Sequence, residues 1–219
     1  MPVSVFAPAE PGPNRLSDAD LAAWQAVPVS VVADLEPRQQ IDPSISLKTR
    51  ASDTRILLGR ALTVACTPPD FGAVVHALDH AGPGDVVVIA AQGQTDTAVI
   101  GEILGGHLRA KGCAGLVVDG AVRDIDALGG WADFPVYARA INPRGPTSAN
   151  DGALFAPVEV GGCVVSPGDL ILGDADGLVA LPAPLARNRL QAAQDKLALE
   201  AQWINGLAAG KPASEVFGL

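Results

Sequence analysis

The run Val86-Val87-Val88-Ile89-Ala90, introduced by the turn Gly82-Pro83-Gly84-Asp85, constrains the fold more than any other stretch of the chain. Consecutive apolar residues, mostly β-branched, have no polar face to offer water, so they predict a strand covered on both sides. Such strands belong to parallel sheets joined by helical crossovers, and the neighbouring sequence supplies the pieces. Ile56 to Cys66, bracketed by Arg55 and Pro68, reads as a strand and Phe71 to Ala81 as a helix. Further on, the pattern predicts a helix from about Ala98 to Lys111, a strand over Leu116 to Asp119, a short helix after Asp124 and a strand over Val136 to Arg139. The last third behaves differently. Val158 to Val160, Cys163 to Val165, Leu170 to Leu172 and Leu178 to Leu181 are separated by Gly161-Gly162, Pro167-Gly168 and Asp176-Gly177, which predicts an antiparallel meander. A helix from about Pro184 to Leu207 follows, with Gly210 just past its end.

Upstream, Pro2, Pro8, Pro11 and Pro13 suit an extended arm over residues 1–16. Ser17 before Asp18-Ala19-Asp20-Leu21 is a helix N-cap with acids in the first turn, and Pro28 is expected to end that helix. Val29 to Leu35 fits strand or helix equally. The Pro-Gly-Asp of residues 83–85 recurs at 167–169 before another apolar run; because the flanks do not repeat, this is shared turn chemistry and not a duplicated domain. The expected organisation is a single mixed α/β domain over 17–210 with a short tail at 211–219.

With 219 residues, 48% of them apolar, such a domain buries a full core without staples. Fifteen basic residues against 24 acidic ones give a charge of -9, which leaves no electrostatic footprint for nucleic acid or anionic lipid. No apolar run approaches the roughly 20 residues of a membrane helix, and the first residues lack the order of a signal peptide, so the expected address is the cytoplasm. Cys66, Cys113 and Cys163 are far apart and show no CxxC spacing, so they are expected to be reduced, buried and without metal.

The chemistry concentrates between Gly101-Glu102-Ile103-Leu104-Gly105-Gly106 and Val117-Val118-Asp119-Gly120-Ala121-Val122-Arg123-Asp124. The segment from Gln92 to Gly101 leads from a buried strand into a helix, whose first backbone N–H groups form an anion site at a strand's carboxyl end. Arg123 and Asp124 follow the next strand, so a planar guanidinium and a hard oxygen donor should face the same pocket.

These residues resemble the class II 4-hydroxy-4-methyl-2-oxoglutarate aldolases, the RraA-like family shared with the regulator of ribonuclease E activity. The likeness runs from Gly59-Arg60-Ala61-Leu62-Thr63-Val64 through Ala81-Gly82-Pro83-Gly84-Asp85, the Gly-Glu helix and the specific run Gly112 to Asp124. It continues through Pro143-Arg144-Gly145-Pro146 and Pro167-Gly168-Asp169 to Gly173-Asp174-Ala175-Asp176-Gly177, about residues 17–210 in all. The resemblance implies a swivelling β/β/α fold with mixed sheet layers and flanking helices, assembled as a homotrimer or homohexamer, with Mg²⁺ or Mn²⁺ near a subunit boundary. By position it assigns substrate binding to Gly101, Glu102, Ile103, Leu104 and Arg123 and the metal to Asp124, and it suggests Glu200 as an acid lent by a neighbouring subunit. The implied substrate is a small 2-oxo acid cleaved to pyruvate, with oxaloacetate decarboxylation through the same enolate. One departure stands out: many relatives carry a lysine two residues after Arg-Gly-Pro, where this chain has Thr147-Ser148.

Simpler roles compete with these. Asp124 is also placed to cap the helix after it, Arg123 to pair with Asp126, and Glu102 to serve only as a helix-start charge. Asp119 is expected to shape an Asp-Gly turn. His76 and His80 stand four apart, but Ala77 replaces the glutamate of a zinc motif. Asp174-Ala175-Asp176-Gly177 is a hairpin turn and not a calcium loop, because its glycine comes too early. None of the lysines Lys48, Lys111, Lys196 and Lys211 lies in an apolar strand that would lower its pKa, which favours metal over Schiff-base chemistry, with Arg123 and Glu102 as the catalytic pair. The alternative is a non-catalytic regulator that binds a ribonuclease.

Overall fold

The computed structural model describes residues 2–8, 14–50 and 56–219. Pro11, Pro13 and Arg55 lie outside them. The first half contains β1 (Ser4–Val5), α1 (Asp18–Trp24), α2 (Val29–Leu35), β2 (Ser46–Leu47), β3 (Leu57–Ala65), α3 (Gly72–His80), β4 (Asp85–Ala90), β5 (Ala98–Ile100) and α4 (Glu102–Ala110). The second half contains β6 (Gly115–Val122), α5 (Ile125–Gly129), β7 (Val136–Ile141), β8 (Ala153–Leu154), β9 (Val158–Val160), β10 (Cys163–Val165), β11 (Leu170–Asp174), β12 (Gly177–Leu181), α6 (Ala183–Ala208) and α7 (Ala213–Phe217). No helix among the described residues is long and apolar enough to cross a membrane.

Strands β3, β4, β6 and β7 run parallel, in that order, at the centre of a mixed sheet. β4 is buried on both faces, as its composition demands. Val87 and Ile89 pack with Val74, Ala77 and Leu108 under the crossover helices, whereas Val86 and Val88 pack with Val160, Val165 and Ile171 on the other side. Burial of each such side chain contributes roughly 1.5–3 kcal/mol, so neither face tolerates a polar residue. A third layer forms where Trp24, Val31 and Val32 of α1 and α2 and Ala186 and Ala193 of α6 cover the outer face of β11 and β12. The result is a mixed sheet, a smaller β layer and flanking helices.

Local chemistry explains most boundaries. Ser17 and Asp20 form a reciprocal capping box at the start of α1. α1 ends at Trp24, before Pro28, and Pro28 instead precedes α2, so Val29 to Leu35 resolves as a helix. Its first N–H, on Val29, donates to Asp174 Oδ2 at 2.9 Å across 145 positions of sequence, a cap that local spacing does not reveal. Both Pro-Gly-Asp turns use one device: the aspartate carboxylate accepts the N–H three residues back, Gly82 to Asp85 and Ser166 to Asp169, beside a left-handed glycine.

Four expectations change. Ala98 to Ile100 is a strand and not the start of a helix, because it pairs with Ala121 and Val122 of β6. β6 continues to Val122 through Asp119-Gly120, which is no turn; Gly120 is glycine because a Cβ there would lie 2.8 Å from the Ala91 Cβ. The expected meander is two separate hairpins: β9 and β10 pair only with each other, while β11 pairs with both β12 and β3. Ser4–Val5, within the expected arm, adds a parallel strand beside β8. At the other end α7 folds back on α6, with Phe217 edge-on to Trp203 at 5.2 Å.

The carboxyl side of the sheet is held by Asp70. Its carboxylate accepts the N–H groups of Gly72, Asn150 and Asp151 at 2.9–3.0 Å and interacts with the Ser148 hydroxyl, clamping residues 148–151 to the start of α3. These bonds, the Ser148 hydroxyl foremost, hold the Asp70 carboxyl well below the usual carboxylate range. The unfolded chain therefore binds this proton more readily than the folded one. The stability Asp70 contributes is complete above about pH 4 and is lost as the pH falls below that. Asp70→Asn is expected to cost roughly 1 kcal/mol or more near neutrality and to flatten the acid limb of a plot of thermal midpoint against pH; an unchanged limb would show that the clamp carries no stability.

Candidate active site

Two clefts open near the carboxyl ends of the parallel strands, one beside the β9–β10 hairpin and one beside α4. The larger, about 720 Å³, is lined by Cys66, Thr67, Gln92, Asp119, Arg139 and Glu159 among others. Its buried charge is already used. Asp119 pairs with Arg139 and accepts the Gly161 N–H at 2.8 Å, and Arg139 also binds Asp42 and Ser44. The Ser44 N–H and the Arg139 guanidinium hold the Asp42 carboxyl down to about 2. Asp119 thus ties the hairpin to the sheet. Burial pushes the Cys66 thiol up to about 12, so it is no nucleophile.

The smaller cleft, about 280 Å³, contains five of the residues singled out from the sequence; Glu102 is not among those that line it. Gly101, Ile103, Leu104, Arg123 and Asp124 line it with Phe71, Val99, Ile100 and Pro146. β5 and β6 pair side by side, so Gly101 and Arg123 leave the sheet together, and the Arg123 N–H still donates to the Ile100 carbonyl at 3.1 Å. Asp124 then adopts the left-handed conformation, φ 57 and ψ 44, which costs a non-glycine residue about 1 kcal/mol. It makes no side-chain cap to α5, the helix that follows it. Instead Oδ2 turns back to accept the N–H of Glu102, the first residue of α4, at 3.0 Å. Arg123 Nε lies 3.5 Å from the same oxygen, so Arg123 pairs with Asp124 and not with Asp126.

The remaining pieces follow from α4. Its first closed helical bond runs from Gly105 N–H to the Gly101 carbonyl, so the N–H groups of Ile103 and Leu104 have no intrahelical partner and sit at the positive end of the helix dipole. Glu102 and Ile103 are both exposed, but only Ile103 lines the cleft. The site therefore combines a guanidinium, a carboxylate and free amides, with the Arg123 and Asp124 side chains 38% and 39% exposed. Such a set can bind a small anion such as a carboxylate.

Two glycines make this convergence possible. Gly101 is extended, a backbone any residue adopts, yet a Cβ there would collide with Asp124 Oδ2 and come within 2.7 Å of Arg123 Cγ. A Cβ on Gly145 would collide with Arg123 Nη1. Gly145 was not among the sequence candidates; its signal lay in the Pro-Arg-Gly-Pro run, whose loop is fixed by Ala98 N–H to the Arg144 carbonyl and Asn142 Nδ2 to the Thr95 carbonyl, both 2.8 Å.

Among the described residues no group of three His, Cys, Asp or Glu side chains is placed to hold a metal. His80 lies edge-on to Phe155, with ring centroids 5.6 Å apart. The second oxygen of Asp124 has no partner among the described residues. One free hard oxygen fits an ion of the magnesium type that keeps most of its water, and does not fit a zinc cage. None of the four lysines lines the cleft. Glu200 stays away from the cleft of its own chain: it pairs with Lys196 at 3.4 Å on α6, which packs on α1, α2 and α7.

The glycine contacts yield a direct test. Gly101→Ala and Gly145→Ala are each expected to leave the fold and thermal midpoint nearly intact while displacing Arg123 or Asp124, with a loss of ligand binding or turnover of about 10²-fold, as a misplacement near 1 Å gives. Binding and turnover unchanged in both variants would show that the pair does not need its present position.

A protein of Halalkalibacterium halodurans, named provisionally as a 4-hydroxy-4-methyl-2-oxoglutarate aldolase, is 39% identical over 142 residues, 65% of this chain and 67% of that one. RraAS2 of Streptomyces coelicolor, described as an unusual member of the RNase ES inhibitor RraA family, superposes with a TM-score of 0.74 at 26% identity, covering 85% of this chain and 97% of its own. An uncharacterized protein from Pseudomonas syringae pv. tomato shares the fold at a TM-score of 0.81 and 23% identity, covering 95% and 97%. The family model described as Aldolase/RraA matches residues 14–180, and the chain belongs to the RraA-like family.

Proposed function

We propose that the smaller cleft cleaves a 4-hydroxy-2-oxo acid, 4-hydroxy-4-methyl-2-oxoglutarate or a close relative, to pyruvate by retro-aldol chemistry. The observation that supports this reading is the convergence of Arg123, Asp124 and the first turn of α4 on one cleft. The N–H groups of Ile103 and Leu104 hold the substrate carboxylate, and Gly101 leaves room for the Asp124 carboxylate beside them. Arg123 donates to the 2-keto oxygen. Glu102 accepts the proton of the C4 hydroxyl through a water. As that proton leaves, the C3–C4 bond breaks and its electron pair passes into the pyruvyl fragment as an enolate, while C4 departs as a carbonyl compound. Arg123 faces the charge that develops on the enolate oxygen, and a proton returned to C3 completes pyruvate. A divalent cation, Mg²⁺ or Mn²⁺, held by Asp124 with Glu102 beside it, would supply Lewis-acid polarisation of the keto group. Oxaloacetate reaches the same enolate by losing carbon dioxide, so it is a second substrate. In a homotrimer or homohexamer a neighbour's α6 would lend Glu200.

The relatives described as inhibitors of RNA processing support a second reading, a ribonuclease regulator that keeps the cleft. One assay separates the two. Pyruvate release, coupled to lactate dehydrogenase, is expected from 4-hydroxy-4-methyl-2-oxoglutarate and oxaloacetate, to disappear in EDTA, and to fall about 10²–10³-fold in Arg123→Ala and Asp124→Ala. Full turnover in EDTA would remove the metal from the mechanism. Absence of turnover, with ribonuclease binding retained in Asp124→Ala, would establish the regulator.

A further inference from the structure

Arg123 is held loosely by its own ion pair. Its Nε lies 3.5 Å from Asp124 Oδ2, at the limit of a hydrogen bond, and its side chain is more than a third exposed. A long side chain in that position keeps several rotamers unless packing removes them. The packing comes from Gly145, whose backbone rests so close to Nη1 that a Cβ there would collide with it. Where Gly145 sits therefore decides which positions remain open to the guanidinium.

Gly145 belongs to the segment 142–151, which is tied down on both sides of it. On the near side Asn142 donates its N–H to the Val122 carbonyl at 3.0 Å, at the end of β6, and its Nδ2 to the Thr95 carbonyl at 2.8 Å. Its Oδ1 accepts the Arg144 N–H at 2.9 Å, and the Arg144 carbonyl accepts the Ala98 N–H of β5. On the far side the Pro69 carbonyl accepts the Thr147 N–H at 3.0 Å, and the Asp70 carboxylate accepts the N–H groups of Asn150 and Asp151. Pro143 and Pro146 remove further backbone freedom between these anchors. Asn142 is the anchor with two reaches: its oxygen closes a turn two residues long, and its nitrogen spans 47 positions of sequence. It does not line the cleft.

We propose that residues 142–151 form a strap that positions Arg123, with Asn142 as the positioning residue that sets it. The proposal rests on the retro-aldol reading for what Arg123 does, which is to donate to the keto oxygen and face the charge of the enolate. Asn142 acts only through Gly145 and the guanidinium. The α4 amides that hold the substrate carboxylate lie on another element, so releasing the strap weakens the step in which charge develops more than it weakens substrate binding.

A double-mutant cycle tests this on the full chain supplied with Mg²⁺, using Asn142→Ala, Arg123→Ala and the pair together. Three quantities are read: kcat and KM for pyruvate release from 4-hydroxy-4-methyl-2-oxoglutarate, pyruvate affinity by titration calorimetry, and the thermal midpoint. Asn142→Ala is expected to lower kcat about tenfold or more while KM moves less than about threefold. Added to Arg123→Ala, it is expected to change kcat less than about twofold, because the group it positions is already gone. Asn142→Ser keeps an oxygen for the Arg144 N–H but loses the tie to Thr95; it is expected to give a smaller loss with the same coupling, and it carries the cycle if Asn142→Ala does not fold. Equal losses with and without Arg123, or a lowered thermal midpoint with kcat unchanged, overturn the strap and leave the lyase intact. No turnover by the unmodified chain overturns the retro-aldol reading instead. Pyruvate affinity then decides the strap: coupled effects of positions 142 and 123 uphold it and independent effects overturn it, while absence of pyruvate binding overturns both.

Discussion

Asp124 accepting the Glu102 N–H is the contact on which the site depends. It joins the end of β6 to the beginning of α4, two junctions 22 residues apart, and uses a carboxylate to cap a helix to which it does not belong. That choice determines several others. The residue must be left-handed to turn back, Gly101 must lack a Cβ to let the carboxylate in, and Arg123, one residue earlier, is drawn to the same oxygen. Charge neutralisation makes the arrangement stable: a helix N-terminus and a guanidinium share one carboxylate, whose second oxygen stays available to solvent or a cation.

The surroundings are built to keep that contact in place and not to take part in it. On the opposite side of the sheet end, the Asp119–Arg139 pair spends its charge on the Gly161 N–H, Asp42 and Ser44, which locks the hairpin over a larger but chemically committed cleft. On the near side the Asp70 clamp holds 148–151. The larger volume is therefore the less informative one. What distinguishes the smaller cleft is that its amides and one carboxylate oxygen remain without partners among the described residues, and unused polar groups at a cleft are the ones a ligand can satisfy.

Much of this was legible from residues alone, and the misses have physical causes. Gly101, Ile103, Leu104, Arg123 and Asp124 share one pocket because a helix start and a strand end both lie at the sheet's carboxyl rim, whereas Glu102 does not line it. Gly145 was missed because its value is negative space, which appears only when Arg123 is seen lying against it. Ala98 to Ile100 was misread because a short apolar run next to a helix has no periodicity of its own; its partner, β6, decides it. Asp119-Gly120 looked like a turn because that dipeptide favours turns, but the glycine answers a close approach by Ala91 and the aspartate a salt bridge 20 residues away.

By itself the sequence determined the things that depend on nearest neighbours and on water. These are the two-sided burial of Val86 to Ala90, the Pro-Gly-Asp turns, the Ser17 cap, the alternation that makes β3 to β7 parallel, and the clustering of Arg123 and Asp124 after a strand. Only the tertiary structure decided which donor each carboxylate would meet. Asp174 went to α2, Asp119 to Arg139 and Gly161, and Asp124 to α4 rather than α5. The reason is one of range: apolar burial follows a residue's own chemistry and its period, whereas a hydrogen bond requires two groups within about 3 Å, and which distant groups come that close is a property of the packed chain.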